Sequence, residues 1–479
     1  MAPSKNLLKL RMKKRFVNPK NEEVWKGRDM DRVPGEAGKA QERRCGVSLG
    51  MDLKAGFDLS QENSVSGLPL PDAFVEFLKE NGLDSSAYAG AETIPRYIRL
   101  KPGCESQLMD IETELDCKLE KVDWLPNFFS IPSHIQIAST NAYRSGKIYG
   151  MDAASGAAVM ALDVTFGDHV LDLCCAPGAK LCMLADLLGN SGSITGVDVA
   201  QHRLAACRTM LQKYKLGDQC RLFVADGTTF SLVPVGSHTD MKLCSIDGQD
   251  MDIFREWTSK RSWKDRKDAA KKKVGTSTQA SEEPLEPELI FYGRDSGVVG
   301  AQRTKLFRMA DDNVISTSGY DKVIVDAECT HDGSVKHIQK FEYWGWSTFQ
   351  RRVLDAKRTQ NLTCLQWSMT LDWTGQSSYG TASSENRQQS KKLALLTNGF
   401  RLLKVGGSLV YSTCSLTVSQ NEGVIKLFLS TNPSAELMKI DAADKWRCRC
   451  GGIARTVRFD PKTSQTSGLF IAKFTKLAC

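Results

Sequence analysis

The chain has 479 residues, 41% of them hydrophobic and 25% charged, which excludes a wholly disordered protein and predicts a sizeable core. Its net charge of +8 is modest but uneven, because residues 1–20 carry seven basic side chains and no acid, and residues 260–273 carry eight basic side chains against two aspartates. No apolar run approaches the roughly 18 residues of a transmembrane helix, so a membrane-spanning protein is not expected.

Cysteine usage and charge clustering indicate a compartment and a partner. Fifteen cysteines without any Cys-x-x-Cys pair argue against a zinc ribbon or a thioredoxin-like site. No secretion signal is evident, and reduced thiols in a cytosolic, nuclear or organellar compartment fit best. The two basic segments suit a polyanion, because contacts to phosphates release counterions, and solvated tails are the alternative for both.

The first part of the chain predicts two units. Residues 1–68 mix charge, Gly and Ser without lasting periodicity and are predicted to be a flexible basic segment. Residues 70–142 predict a small α+β accessory domain that binds RNA. Its elements are a short helix from Ala73, a strand at 96–100, a helix at 106–119 and a strand at 128–131.

Residues 145–479 predict an α/β domain, because strands and helices alternate as in a mostly parallel, Rossmann-like sheet covered on both faces. Strands are predicted at 168–173, 193–198, 221–225, 321–326, 407–412 and 468–474. Helices are predicted at 155–162, 180–189, 201–214, 390–403 and 420–431. Residues 231–319 and 341–388 are too long for simple connections, so each is predicted to be an insertion, or in the first case a disordered tether.

The segment 172–180, with the sequence DLCCAPGAK, joins a buried strand to an apolar helix, which is where an open α/β sheet binds its ligand. Asp198 ends the next strand, about 20 residues after the turn, where a carboxylate accepts hydrogen bonds from ribose hydroxyls. Asp226 ends the third strand, where an adenine amino group is a suitable donor, and Asp326 ends the fourth. A ligand with a ribose, a base and an ammonium group fits this pattern, and S-adenosylmethionine has all three. Capping of a turn or helix is the alternative for each acid taken alone.

Two cysteines follow strand ends on the same side of the predicted sheet, namely Cys329 and Cys414. A buried structural thiol is the alternative for either. Methylation of carbon 5 of a pyrimidine requires a thiolate that adds to carbon 6 and makes carbon 5 nucleophilic. A base then removes the proton from carbon 5 and the thiol leaves. Free cysteine is only a few per cent thiolate at pH 7, so such a site must lower the thiol pKa or supply a base.

With these features in place, residues 143–476 resemble the Sun/Nop-type RNA cytosine-5 methyltransferases. The matching strings appear in the family's order. They are MDAAS (151–155), DLCCAPGAK (172–180), GVDVAQHRLAAC (196–207), VADGT (224–228), DKVIVDAECT (321–330), LLKVGGSLVYSTCSL (402–416) and SGLFIAKFTK (467–476). The resemblance implies S-adenosylmethionine as cofactor and RNA, either tRNA or rRNA, as substrate. We expect a monomer with no membrane partner and no metal.

The resemblance also implies roles for individual residues. Cys414 corresponds to the covalent nucleophile, and Cys329 to a second thiol that helps to release the methylated product. Asp326 corresponds to the acid that orients the cytosine, and Lys180 to the motif lysine on the substrate side. The implied cofactor contacts are Cys174, Cys175, Ala176, Pro177, Gly178, Ala179, Lys180, Asp198, Arg203, Asp226 and Asp326.

The chain departs from the family pattern in the loop that precedes the second thiol. Glu328 stands where the family usually has proline, and the adjacent carboxylate is expected to disfavour the Cys329 thiolate. Glu328 and His331 are alternatives for a part in product release, with His331 expected to be a bystander. Two other functions are considered, a catalytically silent RNA-binding scaffold and a DNA cytosine methyltransferase, although the DNA enzymes carry their nucleophile in a Pro-Cys loop after the fourth strand.

Overall fold

The structure, a computed structural model, describes residues 70–88, 93–234, 287–298, 318–344 and 384–478. The predicted basic segments at 1–68 and 260–273 lie outside these residues, as does most of the predicted second insertion. None of the described helices is long and apolar enough to cross a lipid bilayer.

The predicted α+β region forms a four-stranded antiparallel sheet in the order β2-β3-β1-β4. Its elements are α1 (Asp72–Glu80), β1 (Arg96–Leu100), α2 (Leu108–Leu115), β2 (Glu120–Lys121), β3 (Phe128–Ile131), α3 (Asn141–Arg144) and β4 (Ile148–Gly150). The helix α2 ends earlier than predicted, because Asp116 adopts a left-handed conformation with a φ of 51°. The sheet extends past the predicted boundary at 142, because β4 pairs with β1.

A second sheet of ten strands forms the core of the larger domain. Its strands are β5 (His169–Asp172), β6 (Ser193–Asp198), β7 (Cys220–Val224), β8 (Glu288–Tyr292), β9 (Tyr320–Asp326), β10 (Leu403–Thr413), β11 (Ala435–Met438), β12 (Arg449–Cys450), β13 (Val457–Phe459) and β14 (Leu469–Lys476). The central strands β10-β9-β5-β6-β7 are parallel, and antiparallel strands extend both edges. The predicted α/β fold is confirmed, and all six predicted strands are present.

The strand β8 was not predicted from the sequence. It pairs antiparallel with β7, with Tyr292 opposite Arg221. The predicted insertion at 231–319 therefore includes a strand of the main sheet. Its short apolar run is flanked by charged and polar residues, and for this reason the sequence pattern did not reveal it.

Helices cover both faces of the large sheet. They are α4 (Ala153–Met160), α5 (Ala179–Leu188), α6 (Gln201–Tyr214), α7 (Val335–Trp344), α8 (Ser384–Leu402), α9 (Glu422–Thr431) and α10 (Pro461–Ser464). Val170 of β5 packs with α4, α5 and α6, whereas its neighbour Leu171 packs with α8 and α9. Successive side chains of a strand point to opposite faces, so central strands that are apolar on both faces require two helical layers.

The strand order reverses at β5, which has β6 on one side and β9 on the other. In an open α/β sheet this switch point leaves a crevice at the carboxyl ends of the strands, where ligands bind. The cofactor turn follows β5, and Asp198 and Asp326 end the two neighbouring strands. Cys414 follows β10, next to β9 on the same edge.

The first helix packs on the larger domain rather than on the small sheet. Phe74 and Leu78 of α1 share a buried apolar cluster with Tyr88 and with Val335 and Phe341 of α7. The small sheet has a separate core. Residues 70–142 are predicted to form one accessory domain, but the apolar face of α1 packs against α7, the helix that follows the Cys329 loop.

Candidate active site

The cofactor turn joins β5 to α5 where the sequence places it. Gly178 precedes α5 with a φ of 109°, a left-handed conformation that favours glycine. A Cβ atom at this position would lie 3.1 Å from the Cα of Cys207 in α6. The turn therefore requires glycine for its conformation and for the close approach of α6. The Ala176–Pro177 peptide in the same turn is cis.

The last residue of β5 provides a buried acceptor beneath this turn. Asp172 is 1% exposed, and its Oδ1 accepts a hydrogen bond of 3.3 Å from the backbone N–H of Cys174. Its Oδ2 is buried without a hydrogen-bond partner among the described residues. Burial, reinforced by the negative charge of Asp326, raises the pKa of Asp172 to about 8. A buried carboxyl group of this kind suits a cationic ligand, whose charge compensates the lost hydration.

Asp198, at the end of β6, is tied to the cofactor turn. Its Oδ2 accepts a hydrogen bond of 3.3 Å from the backbone N–H of Ala176, and its Oδ1 accepts one of 2.9 Å from that of Ala200. Arg203 donates to the carbonyl oxygen of Ala176 at 2.8 Å, and its Nη1 lies 4.0 Å from Asp198. These contacts bring together three of the predicted cofactor residues.

Asp226, at the end of β7, has a local role in the structure. Its Oδ1 accepts hydrogen bonds from the backbone N–H of Thr228 at 2.9 Å and from the hydroxyl of the same residue at 2.8 Å. These contacts match capping of a turn, the alternative role for each of these acids. Its contact with adenine stays a prediction.

Lys180 and Asp326 form an ion pair across the crevice. The Nζ of Lys180 lies 2.7 Å from Oδ2 of Asp326, whose Oδ1 accepts a hydrogen bond of 2.8 Å from the hydroxyl of Ser412 in β10. Burial lowers the pKa of Lys180, but the carboxylate of Asp326 outweighs burial and raises it above its ordinary value. The lysine is therefore positively charged at neutral pH.

The two predicted active-site thiols lie side by side. The Sγ atoms of Cys329 and Cys414 are 3.0 Å apart, although 85 residues separate them in the sequence. Nδ1 of His331 lies 3.0 Å from the sulfur of Cys414 and 3.9 Å from that of Cys329. The site is therefore a dithiol with an imidazole, and the expectation that His331 is a bystander does not fit this geometry.

The pKa values of the two thiols are shifted in opposite directions. Burial raises the pKa of Cys329, but the hydrogen bond from Cys414 and the charge of His331 outweigh burial and hold it well below its ordinary value. The hydrogen bond that Cys414 donates to Cys329, together with burial, raises the pKa of Cys414 well above its ordinary value. The contact therefore favours Cys329 over Cys414 as the thiolate.

The position of Glu328 corrects a prediction from the sequence. The adjacent carboxylate was expected to disfavour the Cys329 thiolate. In the structure Glu328 is exposed, whereas Cys329 is only 8% exposed and faces Cys414 and His331. Water screens the charge of Glu328, so the buried groups on the other side of the sulfur decide its pKa.

Buried hydrogen bonds fix the loop that carries His331. The carboxylate of Asp332 accepts a bond of 2.6 Å from the backbone N–H of Leu416 and another from the hydroxyl of Thr330. Gln420 donates to that same hydroxyl at 3.0 Å. Lys392, which is 2% exposed, donates to the side-chain carbonyl of Gln420 at 3.0 Å. The loop is thus held by residues that follow β10 and by α8.

Comparison with known proteins supports the resemblance. A family model described as 16S rRNA methyltransferase RsmB/F matches residues 159–252 and 381–475. The chain is similar to this methyltransferase family over these two segments. The Sun/Nop-type resemblance predicted from the sequence is thereby confirmed. The matched residues of the RsmB/F model include the cofactor turn and Cys414, but the loop with Cys329 and His331 lies between the two matched segments.

The names of curated relatives refer to methylation of carbon 5 of cytosine in rRNA. The chain is 22% identical to an rRNA (cytosine-C(5))-methyltransferase of Arabidopsis thaliana over 374 residues, which cover 71% of this chain and 55% of that protein. It is 29% identical to a 28S rRNA (cytosine-C(5))-methyltransferase of Mus musculus over 192 residues, which cover 40% of this chain and 39% of that protein. The chain thus spans less than two thirds of the length of either relative.

A solved structure supports the fold. The crystal structure of NSun6 from Pyrococcus horikoshii with SFG is similar to this chain with a TM-score of 0.50 at 14% identity, covering 85% of this chain and 99% of that one. At this level of identity the likeness shows a shared fold.

Two site residues were not recognised from the sequence. Asp172 was visible only as the final acid of a buried strand, a signal that applies equally to a structural carboxyl group. His331 was noticed, but its distance from Cys414 depends on a loop whose backbone the sequence does not define. The four predicted catalytic residues Lys180, Asp326, Cys329 and Cys414 lie together at one end of the sheet.

Proposed function

We propose that the protein transfers a methyl group from S-adenosylmethionine to carbon 5 of cytosine in RNA, through a covalent adduct with Cys414. The observation that carries this proposal is the Cys329–Cys414 pair, with its sulfurs 3.0 Å apart at the sheet edge that also holds the cofactor turn. The names of the relatives support cytosine-C5 chemistry on RNA and favour ribosomal RNA over transfer RNA as the substrate.

The residues of the cofactor turn fit S-adenosylmethionine. The unpaired oxygen of Asp172 is a suitable acceptor for its ammonium group, and Asp198 has lone pairs left for ribose hydroxyls. Gly178 keeps side-chain atoms out of the turn. When bound, the cofactor supplies a methyl group on a positively charged sulfur, which makes that methyl group electrophilic.

The two thiols divide the work on the pyrimidine ring. Cys414 gives up its proton to the Cys329 sulfur, with which it is in hydrogen-bond contact, and forms a bond from its own sulfur to carbon 6, which makes carbon 5 electron-rich. After carbon 5 has been methylated and Cys329 has released that proton to solvent, the Cys329 thiolate takes the proton from carbon 5. The bond from sulfur to carbon 6 then breaks, and its electrons return to Cys414. The lowered pKa of Cys329 and its contact with Cys414 support this assignment.

Asp326 is proposed to bind the cytosine edge formed by N3 and the amino group. Its two oxygens are held by Lys180 and by Ser412 in the neighbouring strand, so the carboxylate is fixed before the base arrives. The ammonium of Lys180 offsets the negative charge of the carboxylate. A fixed group of this kind stabilises charge that develops in the ring without a further cost of reorganisation.

The target cytosine must be unpaired or flipped out of its helix, because a stacked base cannot reach a thiol in the crevice. Flipping costs a few kcal/mol, which contacts to RNA phosphates have to offset. We propose that the small antiparallel sheet and the basic segments at 1–20 and 260–273 supply these contacts.

A methylation assay on purified RNA tests the proposed function. The full chain is incubated with S-adenosylmethionine carrying a labelled methyl group and with rRNA or tRNA from cells that lack the gene, and bisulfite sequencing then locates modified cytosines. We expect new 5-methylcytosine in rRNA. Cofactor and RNA binding without any methylated cytosine in either RNA would instead establish the silent scaffold, which the replacement of proline by Glu328 favours.

A further inference from the structure

The two active-site sulfurs lie close enough to bond to each other. Their separation of 3.0 Å exceeds the length of a disulfide bond, about 2.05 Å, by roughly one ångström. We propose that Cys329 and Cys414 are a site of reversible modification, at which a hydroperoxide oxidises the two thiols to a disulfide. The oxidation itself does not depend on the proposed function. Its consequence rests on that function, because the disulfide removes the Cys414 sulfur that is proposed to attack cytosine.

The backbone places the two cysteines opposite each other. Cys329 follows β9 and Cys414 follows β10, and these two strands pair in parallel. Neighbouring strands lie about 4.8 Å apart, which is within the Cα separation of disulfide-bonded cysteines, about 4.4–6.8 Å. The backbone N–H of Ala327 donates to the carbonyl oxygen of Ser412 at 3.1 Å, and that of Gly333 donates to the carbonyl oxygen of Cys414 at 2.9 Å. These bonds join the two segments on either side of Cys329, so side-chain rotation closes the remaining distance while the strands stay paired.

The charges around the pair favour Cys329 as the sulfur that the peroxide oxidises first. Nδ1 of His331 lies 3.0 Å from the sulfur of Cys414 and 3.9 Å from that of Cys329. The negative charge of Cys329 raises the pKa of His331 to about 9, so the imidazole is positively charged at neutral pH. Burial raises the pKa of Cys329, but the hydrogen bond from Cys414 and the charge of His331 outweigh burial and lower it. A redox-sensitive cysteine typically has a lowered pKa and a second thiol beside it, and Cys329 has both.

Reactivity toward a peroxide is not shared by the cysteines of the cofactor half. Burial raises the pKa values of these described thiols, which keeps them protonated at neutral pH, where a thiol reacts slowly; they are Cys174, Cys175, Cys182 and Cys220. Cys329 is itself only 8% exposed, but Cys414 beside it is partly exposed. A small hydroperoxide therefore reaches the pair from the crevice in which cytosine is proposed to bind.

The oxidation balances in atoms and electrons. With hydrogen peroxide, the Cys329 thiolate bonds to one oxygen as the O–O bond breaks, and the departing oxygen takes a proton from solvent and leaves as water. The sulfur of Cys414 then bonds to that of the resulting sulfenic acid, whose hydroxyl group leaves with the Cys414 proton as a second water molecule. The two sulfurs together lose two electrons, which the two peroxide oxygens gain. Exchange with a reducing thiol restores both cysteines.

Mass spectrometry of the oxidised chain tests the proposal without RNA or cofactor. The reduced, full wild-type chain is treated with hydrogen peroxide, the remaining thiols are blocked with iodoacetamide, and its peptides are compared with and without dithiothreitol. We expect the Cys329 and Cys414 peptides to be linked, to be lighter by two hydrogens than the separate peptides, and to separate with dithiothreitol. Free thiols at both positions, or oxidation of either cysteine without the link, would overturn the proposal.

Two single substitutions test which sulfur reacts first. In the Cys414→Ser protein the second thiol is missing, so oxidation of Cys329 should stop at the sulfenic acid, which dimedone traps. In the Cys329→Ser protein the dimedone adduct at Cys414 should form about tenfold more slowly or less. The matched control is Cys450→Ser, which removes an exposed cysteine on β12 and should leave formation of the disulfide unchanged. Labelling of Cys414 as fast as that of Cys329 would overturn the assignment of Cys329 as the first site of oxidation.

The methylation reaction distinguishes failure of this inference from failure of the proposed function. With methylatable RNA, the activity of the peroxide-treated chain should fall in proportion to the fraction of the pair that is linked, and dithiothreitol should restore it. If the disulfide forms but the reduced chain methylates no RNA, only the proposed function fails. If the reduced chain methylates RNA and the fully linked chain does so at the same rate, the inferred loss of the nucleophile is wrong.

Discussion

The candidate site has a cofactor half, which contains the turn at 172–180 with Asp198 and Arg203, and a nucleophile half, which contains the Cys329 loop and Cys414. The two halves are built from different kinds of contact. In the cofactor half, the residues that touch are close in sequence, since 22 residues separate Ala176 from Asp198 and 27 separate Ala176 from Arg203. In the nucleophile half, 85 residues separate Cys329 from Cys414, and 244 separate Tyr88 from Asp332. The cofactor half is thus a local arrangement, whereas the nucleophile half depends on the packing of the whole domain.

This difference shows where the chemistry of such a fold can change. A local turn made of Gly178 and its neighbours tolerates little substitution, because its φ and its contact with Cys207 are both restrictive. The Cys329 loop is held by the bond of Asp332 to Leu416 and by the bond of Thr330 to Gln420, so other residues within it can be exchanged while the loop stays in place. Glu328, which stands where the family usually has proline, is such an exchange.

Substitution of the nucleophile should have the largest effect, abolishing the work of the nucleophile half while cofactor binding stays intact. Cys414→Ser should lower the methylation rate by about ten-thousandfold or more, because a hydroxyl group is a far weaker nucleophile than a thiolate. Binding of S-adenosylmethionine, measured by calorimetry, should stay within twofold of the wild-type value. Comparable methylation by the serine variant would show that another group attacks the ring.

The buried acid of the cofactor half should affect stability in a pH-dependent way. The pKa of Asp172 is about 8 in the folded protein, against an ordinary value of 3.8. As pH rises between these values, the unfolded chain loses this proton and the folded chain keeps it, so folding becomes less favourable. Asp172→Asn should remove this penalty, a gain on the order of a few kcal/mol at pH 8 relative to pH 4, measured by urea unfolding. If the free energy of unfolding varied with pH in the same way in the wild-type and Asp172→Asn proteins, the result would contradict a buried Asp172 carboxyl group without a compensating charge.

The loop of the nucleophile half should depend on its buried carboxylate. Asp332→Ala removes the acceptor of the Leu416 N–H and should destabilise the protein by about 1.5–3 kcal/mol, measured by urea unfolding. Asp441→Ala, at an exposed aspartate, serves as the control and should leave the stability unchanged. Unchanged stability in the Asp332→Ala protein would mean that other contacts hold the loop.

Glycine substitution should produce the smallest effect, confined to the cofactor half. Gly178→Ala strains the backbone by about 1–2 kcal/mol and crowds Cys207, so cofactor affinity should fall about tenfold. Gly167→Ala is a matched control, because Gly167 also has a positive φ, of 92°, but faces open space. Equal losses of cofactor affinity in the two variants would assign the effect to general strain rather than to the turn.

The sequence predicted the parts of the molecule that local patterns determine. The central strands and the turn at 172–180 appear as expected, because apolar runs and a Pro-Gly turn encode them directly. The resemblance to the methyltransferase family also predicted that Cys329 and Cys414 belong to the same active site. The packing of α1 against α7 and the pairing of β8 with β7 were missed, since both depend on segments that are distant in sequence. The contact of His331 with Cys414 was missed for the same reason.

Mapping the covalent adduct tests the central claim most directly. The full chain is incubated with S-adenosylmethionine and RNA that contains 5-fluorocytosine, whose carbon 5 cannot lose a proton, and mass spectrometry then identifies the cross-linked peptide. A nucleotide attached to the sulfur of Cys414 is the predicted result. Attachment to Cys329, or no adduct on a chain that binds both cofactor and RNA, would contradict it.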